Sequence, residues 1–126
     1  MSALEQTVTE FGQSLGLDDL QLHPQRGVVL TMENIGTLAF NAAGPGDDAV
    51  LISLARRLHR PSDMAWNRIL ARTHFRARNP LPVQAGVWRD ELVLAVVVPS
   101  SEFTLPRIHE SIQTLDRCHR MIEDAP

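Results

Sequence analysis

Residues 27–55 read GVVLTMENIGTLAFNAAGPGDDAVLISLA. Gly27 to Met32 is rich in β-branched and apolar residues, a strand composition. Glu33-Asn34-Ile35-Gly36 carries turn chemistry. Thr37 to Ala42 then alternates, with Leu38, Phe40 and Ala42 on one side and Thr37, Ala39 and Asn41 on the other. Ala43-Gly44-Pro45-Gly46-Asp47-Asp48 is a strong turn signal. Ala49 to Ala55 follows as a third strand with Val50, Ile52 and Leu54 on one face. Connections this short join antiparallel neighbours, so the stretch predicts a three-stranded meander.

Upstream, Ala3 to Leu15 reads as an amphipathic helix. Leu4, Val8, Phe11 and Leu15 form one stripe, and Gly16 is placed to cap its end. Asp18 to Pro24 is a connector, with Leu17, Leu20 and Leu22 available to seal it. Downstream, a second helix is predicted from about Asp63 to Phe75, capped by Ser62 after Pro61. Its apolar residues spread beyond one stripe, as in a helix that faces a partner or is buried on two sides. Val83 to Arg89 alternates as a fourth strand, and Asp90-Glu91 is the expected turn. Leu92 to Val98 is apolar throughout, which predicts a central strand covered on both faces. The last element is a helix from about Leu105 to Glu123, with Thr104 as its cap and Pro106 in its first turn. Its stripe is Leu105, Ile108, Ile112, Leu115, His119 and Ile122.

The expected architecture is therefore a single α+β domain over residues 1–126. It has an antiparallel sheet of about five strands and three helices, in the order α-β-β-β-α-β-β-α. The length suits one domain, and the 44% hydrophobic fraction suits a packed core. Leu92 to Val98, the longest apolar run, is far short of the ~20 residues that span a bilayer. Met1-Ser2-Ala3-Leu4-Glu5 has neither a basic stretch nor an apolar run, so a cytosolic location is expected. Cys118 is the only cysteine and permits no internal disulfide.

The sequence offers little for catalysis. With no lysine anywhere, a phosphate-binding Gly-x-x-x-x-Gly-Lys loop is excluded. Cys118 and His119 are neighbours on a helix and point apart, a poor nucleophile–base pair. The five histidines contain no i, i+4 pair, and no cysteine pair completes a zinc site. Asp18-Asp19, Asp47-Asp48 and Asp90-Glu91 fall in expected turns, where solvated acids are usual. No metal, cofactor or catalytic residue is therefore assigned.

Charge and aromatics say more. Arg56, Arg57, Arg60, Arg68, Arg72, Arg76 and Arg78 crowd one third of a chain whose net charge is −3. Nucleic acid is one reading of such a cluster. The acidic balance, the absence of lysine, and the lack of a helix-turn-helix, zinc-finger or aromatic RNA-binding strand weigh against it. Arg68, Arg72 and Arg76 run i, i+4, i+8 along the second helix, as in a solvated face or a set of partners for another chain's carboxylates. Trp66 and Trp88 together with arginine are the composition of protein interfaces. Dimerisation would hide the surplus apolar surface.

The element order, the length, the acidic charge and the opening Leu4-Glu5-Gln6-Thr7-Val8-Thr9-Glu10-Phe11-Gly12-Gln13-Ser14-Leu15-Gly16-Leu17 resemble the class I type III secretion chaperones, the Tir-chaperone-like family. In that family an apolar first helix with Phe ends in a similar Leu-Gly-Leu cap. The strand opening at Gly27 to Met32 and the middle helix at Met64 to Phe75 also match. The Arg cluster is a departure. The resemblance implies a cytosolic bacterial homodimer that binds the N-terminal segment of a secreted effector and keeps it secretion-competent without ATP. It implies a dimer interface at Trp66, Ile69, Leu70 and Trp88. It implies effector-binding grooves at Phe11, Leu30, Met32, Leu38, Phe40, Ile52 and Leu54. A regulator of the same fold, or a small enzyme or ligand-binding domain, is the alternative.

Overall fold

The computed structural model describes residues 3–17, 27–33, 35–44, 46, 48–57 and 83–124. The elements are α1 (Ala3–Ser14), β1 (Val28–Met32), β2 (Gly36–Ala43), β3 (Ala49–Arg57), β4 (Gln84–Trp88), β5 (Glu91–Pro99), a 3₁₀ turn (Ser100–Glu102) and α2 (Leu105–Asp124). The expected middle helix, about Asp63 to Phe75, lies outside the described residues.

The five strands form one sheet in the order β1-β2-β3-β5-β4, antiparallel at every pairing. The register pairs Val28 with Phe40, Phe40 with Ile52, and Ile52 with Val96, so like faces line up across the sheet. Val28, Leu38, Phe40, Val50, Ile52, Leu54, Leu92, Leu94, Val96 and Val98 are buried on one face. Both described helices cover that face. Val8 and Phe11 of α1, and Ile108, Leu115, Cys118 and Ile122 of α2, complete a single core with Phe103.

Local chemistry explains the helix ends. The Gly16 N–H bonds the Gln13 carbonyl and the Leu17 N–H bonds the Gly12 carbonyl, a Schellman termination of α1. Gly16 has φ +79°, which a Cβ would oppose. At the start of α2 the Arg107 N–H reaches the Thr104 hydroxyl at 3.4 Å, the expected N-cap. The Thr7 hydroxyl of α1 donates to the Phe103 carbonyl at 3.3 Å and ties the two helices together.

Some sequence expectations need correction. β3 runs two residues further than predicted, to Arg57, because it pairs with β5 as far as Glu91. The β4–β5 turn is Arg89-Asp90, with Arg89 at φ +59°, and Glu91 already belongs to β5. β5 is not covered evenly on both faces. Leu92, Leu94, Val96 and Val98 are buried, whereas on the opposite face Ala95 is buried, Val93 half-buried and Val97 47% exposed.

Phe40 packs edge-on against Phe11 at 5.4 Å and against Phe103 at 5.8 Å. Phe40→Ala should lower unfolding free energy by about 3–5 kcal/mol in urea titrations. Val29→Ala, at a position 65% exposed, should change it by less than about 0.5 kcal/mol.

Candidate partner-binding surface

Of the seven residues expected to line effector grooves, the structure places five in the core. Phe11, Leu38 and Phe40 are 1% exposed, and Ile52 and Leu54 are fully buried. The alternation points the strand side chains at α1 and α2, and all five are taken up by the core. Leu30 and Met32 differ. They sit on the same face but on the edge strand, half-buried and packed against the margin of the core.

Among the expected dimer residues, Trp66, Ile69 and Leu70 lie outside the described residues. Trp88 ends β4.

What remains accessible is the edge of β1 and the outer face of the sheet. β1 pairs with β2 on one side, and among the described residues no strand pairs with its other side. An open edge offers backbone N–H and C=O groups to another chain. Natural edges are usually blunted with lysine or proline, yet Val28-Val29-Leu30-Thr31-Met32 contains no charge and no proline. Val29 and Thr31 project to the outer face, exposed, while Leu30 and Met32 offer half-buried apolar contact below. The outer face continues with Ala39, Leu51, Ser53 and Val93, all half-buried, to the exposed Val97. This surface can accept an extended chain by strand addition, with alternate side chains falling on each face.

A groove of about 520 Å³ opens beside the β1–β2 turn. Thr31 to Glu33, Ile35 to Thr37, Ala55 to Arg57 and Glu91 line it. Two arginines of the sequence cluster meet here and do different work. Arg57 is 71% exposed and pairs with Asp90 at 2.9 Å, a surface contact worth little. The Arg56 side chain is only 13% exposed and pairs with Asp116 of α2. The sequence places both in one basic cluster, and the structure separates their roles.

His119 lies one helical turn beyond Asp116, fully buried. Its Nε2 is 2.7 Å from the Leu54 carbonyl. A carbonyl only accepts, so the neutral ring carries its proton on Nε2; among the described residues Nδ1 has no hydrogen-bond partner. Burial lowers the His119 pKa from 6.5 to about 4, helped by the Arg56 charge and opposed by the Leu54 bond and Asp116. The ring is held neutral beneath the sheet, and both Cys118 and His119 are fully buried. Among the described residues no three His, Cys, Asp or Glu side chains stand together as a metal site. No helix among them is long and apolar enough to cross a membrane.

The fold is that of solved type III secretion chaperones. A chain of the HopA1–SchA chaperone–effector complex superimposes with a TM-score of 0.69 at 13% identity, covering 95% of this chain and 92% of that one. The Yersinia pestis type III secretion chaperone SycH, solved with a stable fragment of YscM2, gives 0.65 at 12% identity, covering 94% and 99%. YbjN from E. coli, a proposed transcription regulator, gives 0.58 at 11% identity, covering 94% and 88%. Comparison with curated protein sequences finds no match. The model of the type III secretory system chaperone SycN family matches residues 3–123, and the chain belongs to that family.

The buried imidazole gives a pH prediction. Folding lowers the His119 pKa, so its neutral form contributes stability in full above pH 6.5. That contribution is lost as pH falls from 6.5 through about 4, by roughly 3 kcal/mol in all. Urea midpoints across this window should fall more steeply for the native chain than for His119→Gln. Parallel curves would mean that the protonated ring is accommodated.

Proposed function

We propose that the chain is a secretion chaperone that binds the N-terminal segment of one or more secreted effectors and keeps it soluble and secretion-competent. The observation that carries this reading is the family match over residues 3–123. The solved relatives support it, since two of them are bound to an effector or to a YscM2 fragment. In this reading the protein works by binding rather than by catalysis, in the bacterial cytoplasm.

The effector segment adds along β1. Val29 and Thr31 flank it on the outer face, and Leu30 and Met32 supply apolar contact on the inner one. Phe11, Leu38, Phe40, Ile52 and Leu54 act indirectly, by holding the sheet in shape. The segment is disordered when free, so ordering it opposes affinity, and two binding edges in one particle offset that cost. A homodimer supplies two edges. Its proposed interface is Trp66, Ile69, Leu70 and Trp88; of these, Trp88 ends β4, at the opposite end of the strand order from β1. Light scattering should then give twice the 14.0 kDa chain mass, unchanged on dilution.

Co-expression with N-terminal fragments of the same organism's secreted proteins tests the binding role. A soluble complex should co-purify with at least one. Val29→Lys should reduce its affinity about tenfold or more by blunting the edge, with stability changed by less than about 1 kcal/mol. If no fragment is retained, the reading fails. The likeness to YbjN supports a second reading, a regulator that sequesters another protein. Under that reading, the partner that co-purifies is not secreted.

A further inference from the structure

Arg56 stands where three elements meet. It lies on the core face of β3, two residues beyond Leu54. Its Nε donates to the Ile35 carbonyl in the β1–β2 turn, and its Nη2 donates to Asp116 Oδ1 on α2. Asp116 is itself steadied by Arg120, 3.1 Å from Oδ2 and one helical turn on. The same two turns of α2 reach β3 again through His119, whose ring bonds the Leu54 carbonyl at 2.7 Å. Positions 54 and 56 share a strand face, and 116 and 119 share a helix face, so α2 grips β3 at two points. Arg56 extends that grip to the edge hairpin.

The turn is also held by the β2–β3 pairing of Thr37 with Ala55 and by Ile35 against the margin of the core. A groove of about 520 Å³ opens along its side, and Arg56 lines it. Gly36 independently marks the same spot. A Cβ there would lie 2.5 Å from the Ala55 carbonyl oxygen and 3.0 Å from Arg56 Cγ. The hairpin thus approaches β3 closely, against the stem of this arginine.

We propose that Arg56 is a positioning residue for partner binding: by joining the Ile35 carbonyl to Asp116, it fixes the β1–β2 hairpin on α2 and so presents the free edge of β1 ready for a partner strand. The role in binding rests on β1 being the partner edge; the tie itself does not. Arginine suits the task because its planar fork donates in two directions at once. Lysine is a point charge and cannot replace both bonds. Pre-ordering the edge removes an ordering cost from binding.

Arg56→Lys separates positioning from mere stability. Lysine keeps a charge beside Asp116 and gives up the fixed contact to Ile35. Amide exchange of residues 28–37 should quicken about tenfold or more, the size expected for losing one hydrogen bond from a charged donor, while residues 49–55 and 92–98 stay near the native rate. Affinity for the co-purified effector fragment should fall by a similar factor, mainly through slower association. Arg56→Met, which keeps the stem and no donor, should exceed both effects; if it does not fold, the lysine variant decides. Unchanged exchange in 28–37, or an equal rise across all strands, would overturn the proposal. So would quickened exchange with unaltered affinity. If the native chain binds no fragment, the chaperone reading falls instead, and exchange alone decides whether Arg56 holds the hairpin.

Discussion

The contact of Phe40 with Phe11 and Phe103 sets the plan of the molecule. One ring at the middle of β2 meets α1 on one side and the approach to α2 on the other, at 5.4 and 5.8 Å. Edge-to-face contacts of this kind are directional, so they orient the helices as well as burying area. With both described helices drawn onto one face, the apolar alternation of four strands is used up inside. Among the described residues, no helix covers the opposite face and no strand pairs with the free side of β1. The proposed partner surface follows from where the core formed.

Polar ties then set the ends of the sheet. His119 and Asp116 meet β3 at Leu54 and Arg56, and Arg56 carries the connection to the edge hairpin. A largely buried arginine is costly unless its charge is paired, and Asp116 pairs it here while Nε donates to the Ile35 carbonyl. The apolar core decides which face is closed, while these ties fix how the open edge is held.

Much of this was legible in the sequence. The alternation of Leu38 and Phe40, and of Val50, Ile52 and Leu54, gave the strands and their shared face. Gly16 and Thr104 marked helix ends that the structure bears out. The groove assignment came from the resemblance, and a period of two shows which residues share a face and not whether helices cover it. Leu38, Phe40, Ile52 and Leu54 on the strands, and Phe11 on its helix, are core. Leu30 and Met32 are accessible because β1 is an edge, and strand order is not written in local pattern. Arg56 was hidden for a similar reason. Its partners, at positions 35 and 116, are distant in sequence, so it read as one more member of a basic cluster. The missing charge on Val28 to Met32 was the available signal for an unguarded edge.

Shared fold alone would not decide the role, since YbjN has a related architecture under a different description. The family match gives the chaperone role, and strand addition at β1 is the proposed mode of binding. The most direct test is residue-resolved amide exchange of the chain with and without a bound N-terminal effector fragment. New protection confined to Val28 to Met32 and the adjoining turn is the expected result, because a strand added there satisfies backbone groups that pair with no strand among the described residues. Binding that leaves those amides unprotected and protects the outer face near Val97 instead would contradict β1 as the docking edge.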